Sequence, residues 1–186
     1  QLKIMLAAAQ GFYVKANEKL GNYEEIISLV DKNIKMWSND IDFLMSWVVL
    51  STSKANALNH LGDDISSNEL VFEIIEKCRS TKDSIKAAEA LKAGGSHLRE
   101  FWNYQSSITF INCALEIIEN NNSQQARETK AGALEYLALC QRRTNNYEAS
   151  IATCNILLEQ YAAGETPNLE KSLVWGFIEL ERSLQD

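Results

Sequence analysis

Apolar residues along the chain recur with the period of an α-helix, and one short pattern of them appears four times. Each copy has side chains at relative positions 0, 3, 7 and 10, which form one stripe of an amphipathic helix. Three copies are fully apolar: Ile27, Val30, Ile34 and Trp37; Ile108, Ile111, Leu115 and Ile118; and Ile151, Cys154, Leu158 and Tyr161. A weaker copy, Asn68, Val71, Ile75 and Cys78, has a polar first member. The copies start 41, 40 and 43 residues apart, and a helical repeat of this length predicts a solenoid.

The turns between these copies divide the chain into nine predicted helices and no convincing strand. The predicted helices cover residues 2–20, 23–37, 40–61, 67–78, 83–101, 105–119, 124–143, 147–161 and 169–184. They alternate between a longer A helix and a shorter B helix. Thr166 followed by Pro167 is the signal that starts the last helix. Gly94 and Gly95, inside the fifth helix, indicate that a neighbouring helix approaches closely there.

The repeat register predicts a single domain over residues 1–186. Its repeats are expected at about residues 1–38, 39–80, 81–121 and 122–164, followed by a half repeat or capping helix at 165–186. The last helix is the A half of a fifth repeat whose B half is missing. Either the natural protein continues beyond this point or this helix caps the array.

Charge and hydropathy narrow the class of partner. The chain has 186 residues and a net charge of -7, whereas binding to a nucleic-acid backbone needs clustered lysines and arginines. No apolar run reaches the roughly 18–20 residues that a membrane span needs. We therefore expect a soluble, cytoplasmic protein with no nucleic-acid or membrane partner.

Residues that could carry chemistry are few. The four cysteines, Cys78, Cys113, Cys140 and Cys154, form no C-x-x-C motif and are expected to be buried thiols. Two histidines, His60 and His97, have no nucleophile or carboxylate at a triad or metal-ligand spacing, so we expect them to be solvated or to line a groove. The sequence gives no support for an enzyme, a metal site or a bound cofactor.

Small and aromatic residues at fixed positions of the repeat carry a family resemblance. Small residues stand midway along the A helices at Ala55, Gly95 and Ala138, aromatic residues at the turns at Tyr104 and Tyr147, and small residues on the B helices at Ser67, Ser107, Ala114 and Ser150. With these residues the chain resembles the tetratricopeptide repeat (TPR) family. Val14 and Asp64 depart from the pattern, and the repeats exceed the usual ~34 residues, as in the elongated bacterial variant.

The resemblance implies an all-α fold of antiparallel helix pairs stacked into a right-handed superhelix. It also implies a concave face that is lined by the A helices and holds a peptide or partner helix. Three residues before each A-helix end, the register gives Glu18, Asn59, Arg99, Arg142 and Arg182. Six residues before the end of the first two A helices are Lys15 and Asn56, and Tyr136 and Trp175 add aromatic contacts. The expected partner-binding residues are Lys15, Asn56, Asn59, Arg99, Tyr136, Arg142, Trp175 and Arg182.

Two interpretations of the three aligned arginines are open. Their planar guanidinium groups suit an acidic or carboxylate-bearing segment of a partner protein. Alternatively, they pair with glutamates of neighbouring helices, such as Glu100, Glu135 or Glu179, and only solubilise the face. The first functional hypothesis is a protein-interaction scaffold, and the alternative is a sensor segment that regulates an attached effector domain of a larger bacterial protein. Exposed apolar surface at the solenoid ends also favours self-association.

Overall fold

A computed structural model describes residues 2–37, 40–161 and 167–185. Over these residues the chain forms nine α-helices, one short 3-10 helix and no strand, which confirms the predicted all-α class. The α-helices are α1 Leu2–Leu20, α2 Tyr23–Trp37, α3 Leu44–His60, α4 Asp64–Arg79, α5 Ser84–Glu100, α6 Tyr104–Ile117, α7 Gln124–Arg143, α8 Tyr147–Tyr161 and α9 Pro167–Gln185. The 3-10 helix Ile41–Phe43 precedes α3.

Helix starts differ from the predicted ones where a carboxylate acts as the cap. Asp63 accepts a hydrogen bond from the backbone N–H of Ser66, so α4 begins at Asp64 and not at residue 67. Asp40 caps the 3-10 turn in the same way through Asp42, so the predicted helix 40–61 does not begin as a regular α-helix. The α9 helix begins at Pro167, the first helical position that the Thr166–Pro167 signal predicted, although the predicted range started at residue 169. The predicted cap Thr166 lies outside the described residues.

Four A helices end at a residue with left-handed backbone geometry. Gly21, Gly62, Trp102 and Asn145 have φ angles of 74°, 84°, 69° and 60°. A residue with positive φ is the usual signal that ends a helix and reverses the chain, and glycine adopts it without strain. The same geometry at these four positions supports the register read from the sequence, including the repeat in which tryptophan replaces glycine.

The helices pack as pairs of sequence neighbours, α1 with α2, α3 with α4, α5 with α6 and α7 with α8. Each odd-numbered helix also contacts the next odd-numbered helix, from α1 to α9, while the even-numbered helices contact one another much less. Helices on the inside of a curved stack lie closer together than those outside. The odd-numbered A helices therefore line the concave side of a solenoid, as predicted.

One hydrogen bond recurs within three helix pairs and joins the small residues of the sequence pattern. Ser67 Oγ donates to the carbonyl oxygen of Ala55 at 2.8 Å, and Ser150 Oγ donates to that of Ala138 at 2.8 Å. In the pair between them, Ser107 Oγ donates to Gly95 O at 2.7 Å. Each bond links residues 12 apart, so the same contact fixes the position of the B helix against its A helix in all three pairs. The sequence pattern identified these residues as small but not as bonded partners.

Close helix packing explains the glycine pair in α5. A Cβ added to Gly94 would lie 2.9 Å from Val48 Cγ1 and 3.0 Å from two ring carbons of Phe110. A Cβ added to Gly95 would lie 2.9 Å from Ile111 Cγ1. Both glycines therefore let α3 and α6 approach the α5 backbone, which confirms the predicted close contact.

Candidate protein-binding groove

All eight predicted partner-binding residues lie on odd-numbered helices, but the structure separates them into two environments. Lys15, Asn56 and Asn59 belong to the first two A helices. Arg99, Tyr136, Arg142, Trp175 and Arg182 belong to the last three. Side chains close the concave side along the first two A helices, whereas the concave side is open along the last three.

Side chains of α1 reach across the inner side of the first repeats to α5. Lys15 forms an ion pair with Glu100, and Glu18 Oε1 lies 3.0 Å from His97 Nε2. Asn56 on the intervening α3 is only 3 % exposed, so its amide is not accessible to a partner. Asn59 is exposed, but its Nδ2 donates to Asp64 Oδ1 at 2.8 Å at the start of α4. We refer to the two links between α1 and α5 as the clasp.

The clasp contains a buried cluster of polar side chains that the sequence did not reveal. Ser53 Oγ lies 2.7 Å from His97 Nε2, the same ring nitrogen that contacts Glu18. In a catalytic triad the hydroxyl and the carboxylate contact opposite nitrogens of the imidazole, so this arrangement does not activate Ser53. His97 is 9 % exposed, so of the two predicted alternatives, a solvated or a groove-lining histidine, the solvated one is wrong for His97. The cluster cross-links three A helices.

The second environment is a groove between α5, α7 and α9 with a cavity of about 270 Å³. Its lining is predominantly polar and includes Glu89, Lys92, Glu128, Glu135, Tyr136 and Lys171. Two of the glutamates accept hydrogen bonds from neutral donors. Gln125 Nε2 donates to Glu89 at 3.2 Å, and Asn168 Nδ2 donates to Glu128 at 2.8 Å. Of the predicted binding residues, Tyr136 lines this cavity.

Two of the three aligned arginines share one buried carboxylate. Arg142 Nε donates to Glu179 Oε2 at 2.9 Å, and Arg182 Nη1 donates to Glu179 Oε1 at 2.7 Å. Glu179 is 1 % exposed, so both arginines compensate a charge that has no access to water. This geometry matches the alternative in which the arginines pair with glutamates of neighbouring helices.

Arg99 has a different environment from the other two arginines. Its guanidinium carbon lies 4.6 Å from the centre of the Tyr136 ring, and Nη2 donates to Ser96 Oγ at 3.4 Å. Its buried Nε has no hydrogen-bond partner, and no carboxylate of the described residues forms an ion pair with it. Arg99 therefore retains donors that a partner's carboxylate could accept.

Lys92 lies on the same face of α5, two turns before Arg99, and sequence reasoning missed it. Burial lowers the pKa of Lys92, although the nearby carboxylates of Glu89, Glu135 and Glu128 act in the opposite direction. No ion pair to Lys92 exists among the described residues. The steps from Lys92 to Glu135 and Trp175 are 43 and 40 residues, the same steps that align the arginines. The register could therefore have identified it.

Glu135 faces Lys92 across the groove from α7. Burial raises the pKa of Glu135, while a hydrogen bond from Ser172 and the charges of Lys171, Arg99 and Lys92 lower it. Glu135 and Lys92 are thus both partly desolvated without a direct ion pair between them. A groove of this kind presents charge of both signs to a ligand. Trp175 on α9 is exposed and is absent from the cavity lining.

The remaining chemical candidates behave as structural residues. All four cysteines are free and buried, as expected. Burial raises the pKa of Cys78 to about 12, and the neighbouring Cys113 adds to the effect. His60 stacks on Tyr23 with the ring centres 4.5 Å apart. Within residues 2–37, 40–161 and 167–185, no group of three or more metal-ligating side chains occurs, and no helix there is long and apolar enough to cross a membrane.

Comparison with known proteins identifies the fold. No protein-family model matches the chain, and no curated protein is similar to it in sequence. Among solved structures, it is similar to a Podosopora anserina protein described as a kinesin light chain with nearly identical TPR-like repeats, with a TM-score of 0.55 and 12% identity. The match covers 96% of this chain and 85% of that one.

A variant of the same fungal protein gives the same TM-score of 0.55 and 12% identity, over 96% of this chain and 84% of that one. Identity this low carries information on the fold alone. The comparison agrees with the stacked helix pairs. We conclude that the chain folds as a TPR-like helical-repeat solenoid.

Proposed function

We propose that the chain is a protein-interaction scaffold whose groove between α5, α7 and α9 binds an acidic segment of a partner protein. The observation that carries this proposal is the pair of cations on α5, Lys92 and Arg99, which face the concave side and form no ion pair with a carboxylate of the described residues. Burying a lysine without an ion pair opposes folding. A binding role gives a physical reason for keeping it there.

The spacing of the two cations defines what the partner would present. Lys92 and Arg99 are seven residues apart on one helix, which corresponds to about 10 Å along its axis. A polyproline II segment has three residues per turn and rises about 3.1 Å per residue, so its side chains three positions apart lie on one face about 9 Å from each other. The matching segment has two acidic side chains three positions apart in this conformation. Arg99 would bind its carboxylate with two parallel donors, and Lys92 would act as a point charge.

Other groups of the groove would orient the segment. The Tyr136 ring packs against one face of the Arg99 guanidinium group. This contact restricts the Arg99 side chain before binding, so less of its conformational entropy is lost when a partner binds. Glu89, Glu128 and Glu135 lie on the cavity wall and would repel further acidic residues of the partner. The groove therefore suits a segment with two anchoring carboxylates and neutral or basic neighbours, rather than a polyanion.

The proposal is tested with fluorescent peptides that carry two glutamates three positions apart, measured by anisotropy. Arg99→Gln and Lys92→Gln are each expected to weaken binding about tenfold or more, because each removes a hydrogen bond to a charged group. Arg143→Gln and Lys82→Gln remove exposed cations elsewhere and serve as matched controls. Binding should also weaken with added salt.

Two results would contradict the assignment. One is unchanged binding by the Arg99 and Lys92 variants when melting temperatures are also unchanged. The other is equal binding of a peptide in which both glutamates are replaced by glutamine. Arg142 is a poor probe, because its removal leaves the buried Glu179 carboxylate with one partner and lowers stability by itself.

A further inference from the structure

A crevice of about 310 Å³ lies on the outer side of the solenoid, between the B helices α4 and α6. Its base consists of buried residues of the A helices, among them Ala55 and Leu98, and its walls come from α4 and from the start of α6. We call the space between Asn68 on α4 and Gln105 on α6 the outer crevice. The described residues that line it are all uncharged, and the polar ones carry amide or hydroxyl groups.

Polar groups in the walls of the outer crevice are available for binding. The side chains of Asn68 and Gln105 form no hydrogen bond with any other described residue. Asn103 accepts a hydrogen bond from the backbone N–H of Ser106 through its Oδ1, at 3.3 Å, which leaves its Nδ2 free to donate. Each amide side chain offers a donor and an acceptor, the same two groups that a peptide bond offers.

Asn68 is a departure from the repeat pattern. The apolar stripe of each other B helix begins with an isoleucine, at Ile27, Ile108 and Ile151. Ile27 and Ile108 are partly buried and pack against the hydrophobic core, whereas Asn68 is exposed. The polar member of the stripe therefore does not serve the packing that this position provides in the other repeats.

Two large apolar residues on α4 lie beside the outer crevice. Ile65 and Phe72 come three residues before and four residues after Asn68, so all three lie on the same side of the helix. The side chains of Ile65 and Phe72 are 75 % and 65 % exposed. In α2, α6 and α8 the equivalent positions are polar: Glu24, Gln105 and Glu148 for the first, and Asp31, Asn112 and Asn155 for the second. Packing within the fold gives no reason for the apolar residues on α4.

Trp102, which directly precedes Asn103, is costly in two ways. Its φ of 69° strains a large side chain, and the equivalent residues Gly21, Gly62 and Asn145 tolerate this geometry better. Its side chain is also 80 % exposed and forms no hydrogen bond or ring contact with another described residue. Exposed tryptophans are among the residues that contribute most to binding in protein interfaces.

We propose that the outer crevice binds an extended, uncharged segment of a partner protein, with Trp102 and Phe72 as its two apolar contacts. This site lies on the opposite side of the solenoid from the groove between α5, α7 and α9. It takes a segment of different chemistry and does not depend on that groove.

The lining of the crevice selects this kind of segment. A helix satisfies its own backbone groups and binds in apolar grooves, whereas an extended segment has free N–H and C=O groups for amide side chains to bind. A charged residue would lose its hydration in the crevice without an opposite charge to compensate it.

The positions of the two apolar contacts define the spacing within the segment. B helices run parallel in the stack, so Trp102 lies level with its equivalent Gly62, next to the start of α4. Phe72 is eight residues, or roughly 12 Å, further along α4. An extended chain covers this distance in about four residues, and side chains four positions apart in it point to the same side. The matching segment therefore has two apolar residues four positions apart, with uncharged residues between them.

A nuclear magnetic resonance titration of the isotope-labelled chain tests the proposal. The probe is the acetylated and amidated peptide QLQSQLQ, and its charged twin has aspartate in place of the central serine. The neutral peptide is expected to shift the indole N–H of Trp102 and the side-chain amides of Asn68, Asn103 and Gln105. The charged twin should bind about tenfold more weakly or worse, because its carboxylate is desolvated without a partner.

Three variants separate binding from folding, because each installs a residue that other repeats have at the same position. Trp102→Gly, Asn68→Ile and Phe72→Asn are each expected to weaken binding about tenfold or more without lowering the melting temperature. Trp102→Gly should raise it, since glycine relieves the strain of the positive φ. Met36→Gln, which removes an exposed apolar side chain from α2, is the matched control.

Four outcomes would overturn the proposal. One is a neutral peptide that shifts none of these resonances up to its solubility limit, and another is equal binding of the charged twin. The third is unchanged binding by Trp102→Gly and Asn68→Ile. The fourth is a neutral disaccharide that shifts the same resonances when the peptide does not, which would make the crevice a carbohydrate site. Arg99→Gln should leave binding of the neutral peptide unchanged, so the groove and the crevice are tested separately.

Discussion

Glu179 is buried on α9 and holds two arginines that recur at the same position of successive A helices. The carboxylate accepts a hydrogen bond from each guanidinium group, so Arg142 joins α7 to α9, whereas Arg182 pairs with Glu179 within α9. At the equivalent position of α5, Arg99 has Tyr136 beside it instead of a carboxylate. Arginine at this position of the repeat therefore has two different environments, a carboxylate for Arg142 and Arg182 and an aromatic ring for Arg99. For Arg99 and Arg142, the neighbouring helix determines which of the two is present.

The substitution Lys92→Met is expected to raise the free energy of unfolding at pH 7. Burial lowers the folded-state pKa of Lys92 below its value in the unfolded chain, so the ammonium charge opposes folding at neutral pH. The wild-type penalty disappears as pH rises through the folded pKa towards the unfolded value of 10.5. The advantage of the variant should therefore shrink over that range, measured by urea unfolding of both proteins at pH 7 and near pH 10.5.

Lys82→Met is the control for this experiment, because Lys82 is exposed and its removal should leave stability nearly unchanged. If Lys92→Met destabilises the protein at pH 7, the lysine makes favourable contacts and its burial has no cost. A variant that is more stable but binds acidic peptides less well would show a trade between stability and binding.

At the scale of elements, helix boundaries follow local chemistry that the sequence largely displays. The bounds of α1, α2, α7 and α8 coincide with the predicted ones. The predicted start of α4 was three residues late, because Asp63 outcompetes the serines as a cap. Trp102, two residues after the end of α5, is exposed and has a φ of 69°. The sequence pattern did not predict this left-handed backbone geometry, because it does not distinguish Trp102 from an aromatic residue in a turn with negative φ.

Binding-site geometry was less predictable than the fold. The register brought Arg99 and Tyr136 to the same face, but it did not show that Glu179 would be buried between Arg142 and Arg182. Nor did it show that Asn56 would be enclosed. Both depend on how closely successive A helices approach, which is set by side-chain packing between repeats rather than by periodicity within one. The residue assignments of the groove stay predictions.

The two helical glycines Gly94 and Gly11 should respond to alanine in opposite directions. Alanine at either position gains up to about 1 kcal/mol of helix propensity. At Gly94 the new Cβ would lie 2.9 Å from Val48 Cγ1, and overpacking of this kind costs about 1–3 kcal/mol. At Gly11 no atom lies within 4 Å. Gly94→Ala should lower the free energy of unfolding and Gly11→Ala should raise it, as measured by chemical denaturation. Stabilisation by both substitutions would show that α3 and α6 separate from α5 without cost.

At the scale of the whole molecule, the clasp departs from the simple picture of a solenoid. In a repeat array each unit contacts only its neighbours, so stability is a sum of local terms. Here Lys15 and Glu18 of α1 reach Glu100 and His97 of α5, past the helix pair between them. The first three repeats are therefore coupled directly, while no such link joins α5 to α9 among the described residues.

Removing one partner of the clasp should loosen one end of the molecule only. Glu18→Ala leaves His97 without its carboxylate and removes a buried interaction that contributes roughly 1–3 kcal/mol. Native-state hydrogen exchange in α1 and α2 is expected to accelerate about tenfold or more, while exchange in α7 and α8 stays unchanged. Glu24→Ala, at an exposed site in the first turn of α2, is the control. Equal acceleration in all helices would contradict local coupling.

The serine-to-carbonyl bond that recurs in three helix pairs has a consequence for how the chain reaches its structure. Each bond closes a loop of only 12 residues, so the contact forms without waiting for distant parts of the chain to meet. Contacts of short sequence separation form quickly and with little entropic penalty. Three hairpins with equivalent closures offer three alternative starting points of similar speed. Folding is therefore expected to proceed along parallel routes, and a substitution that slows one hairpin leaves the others available.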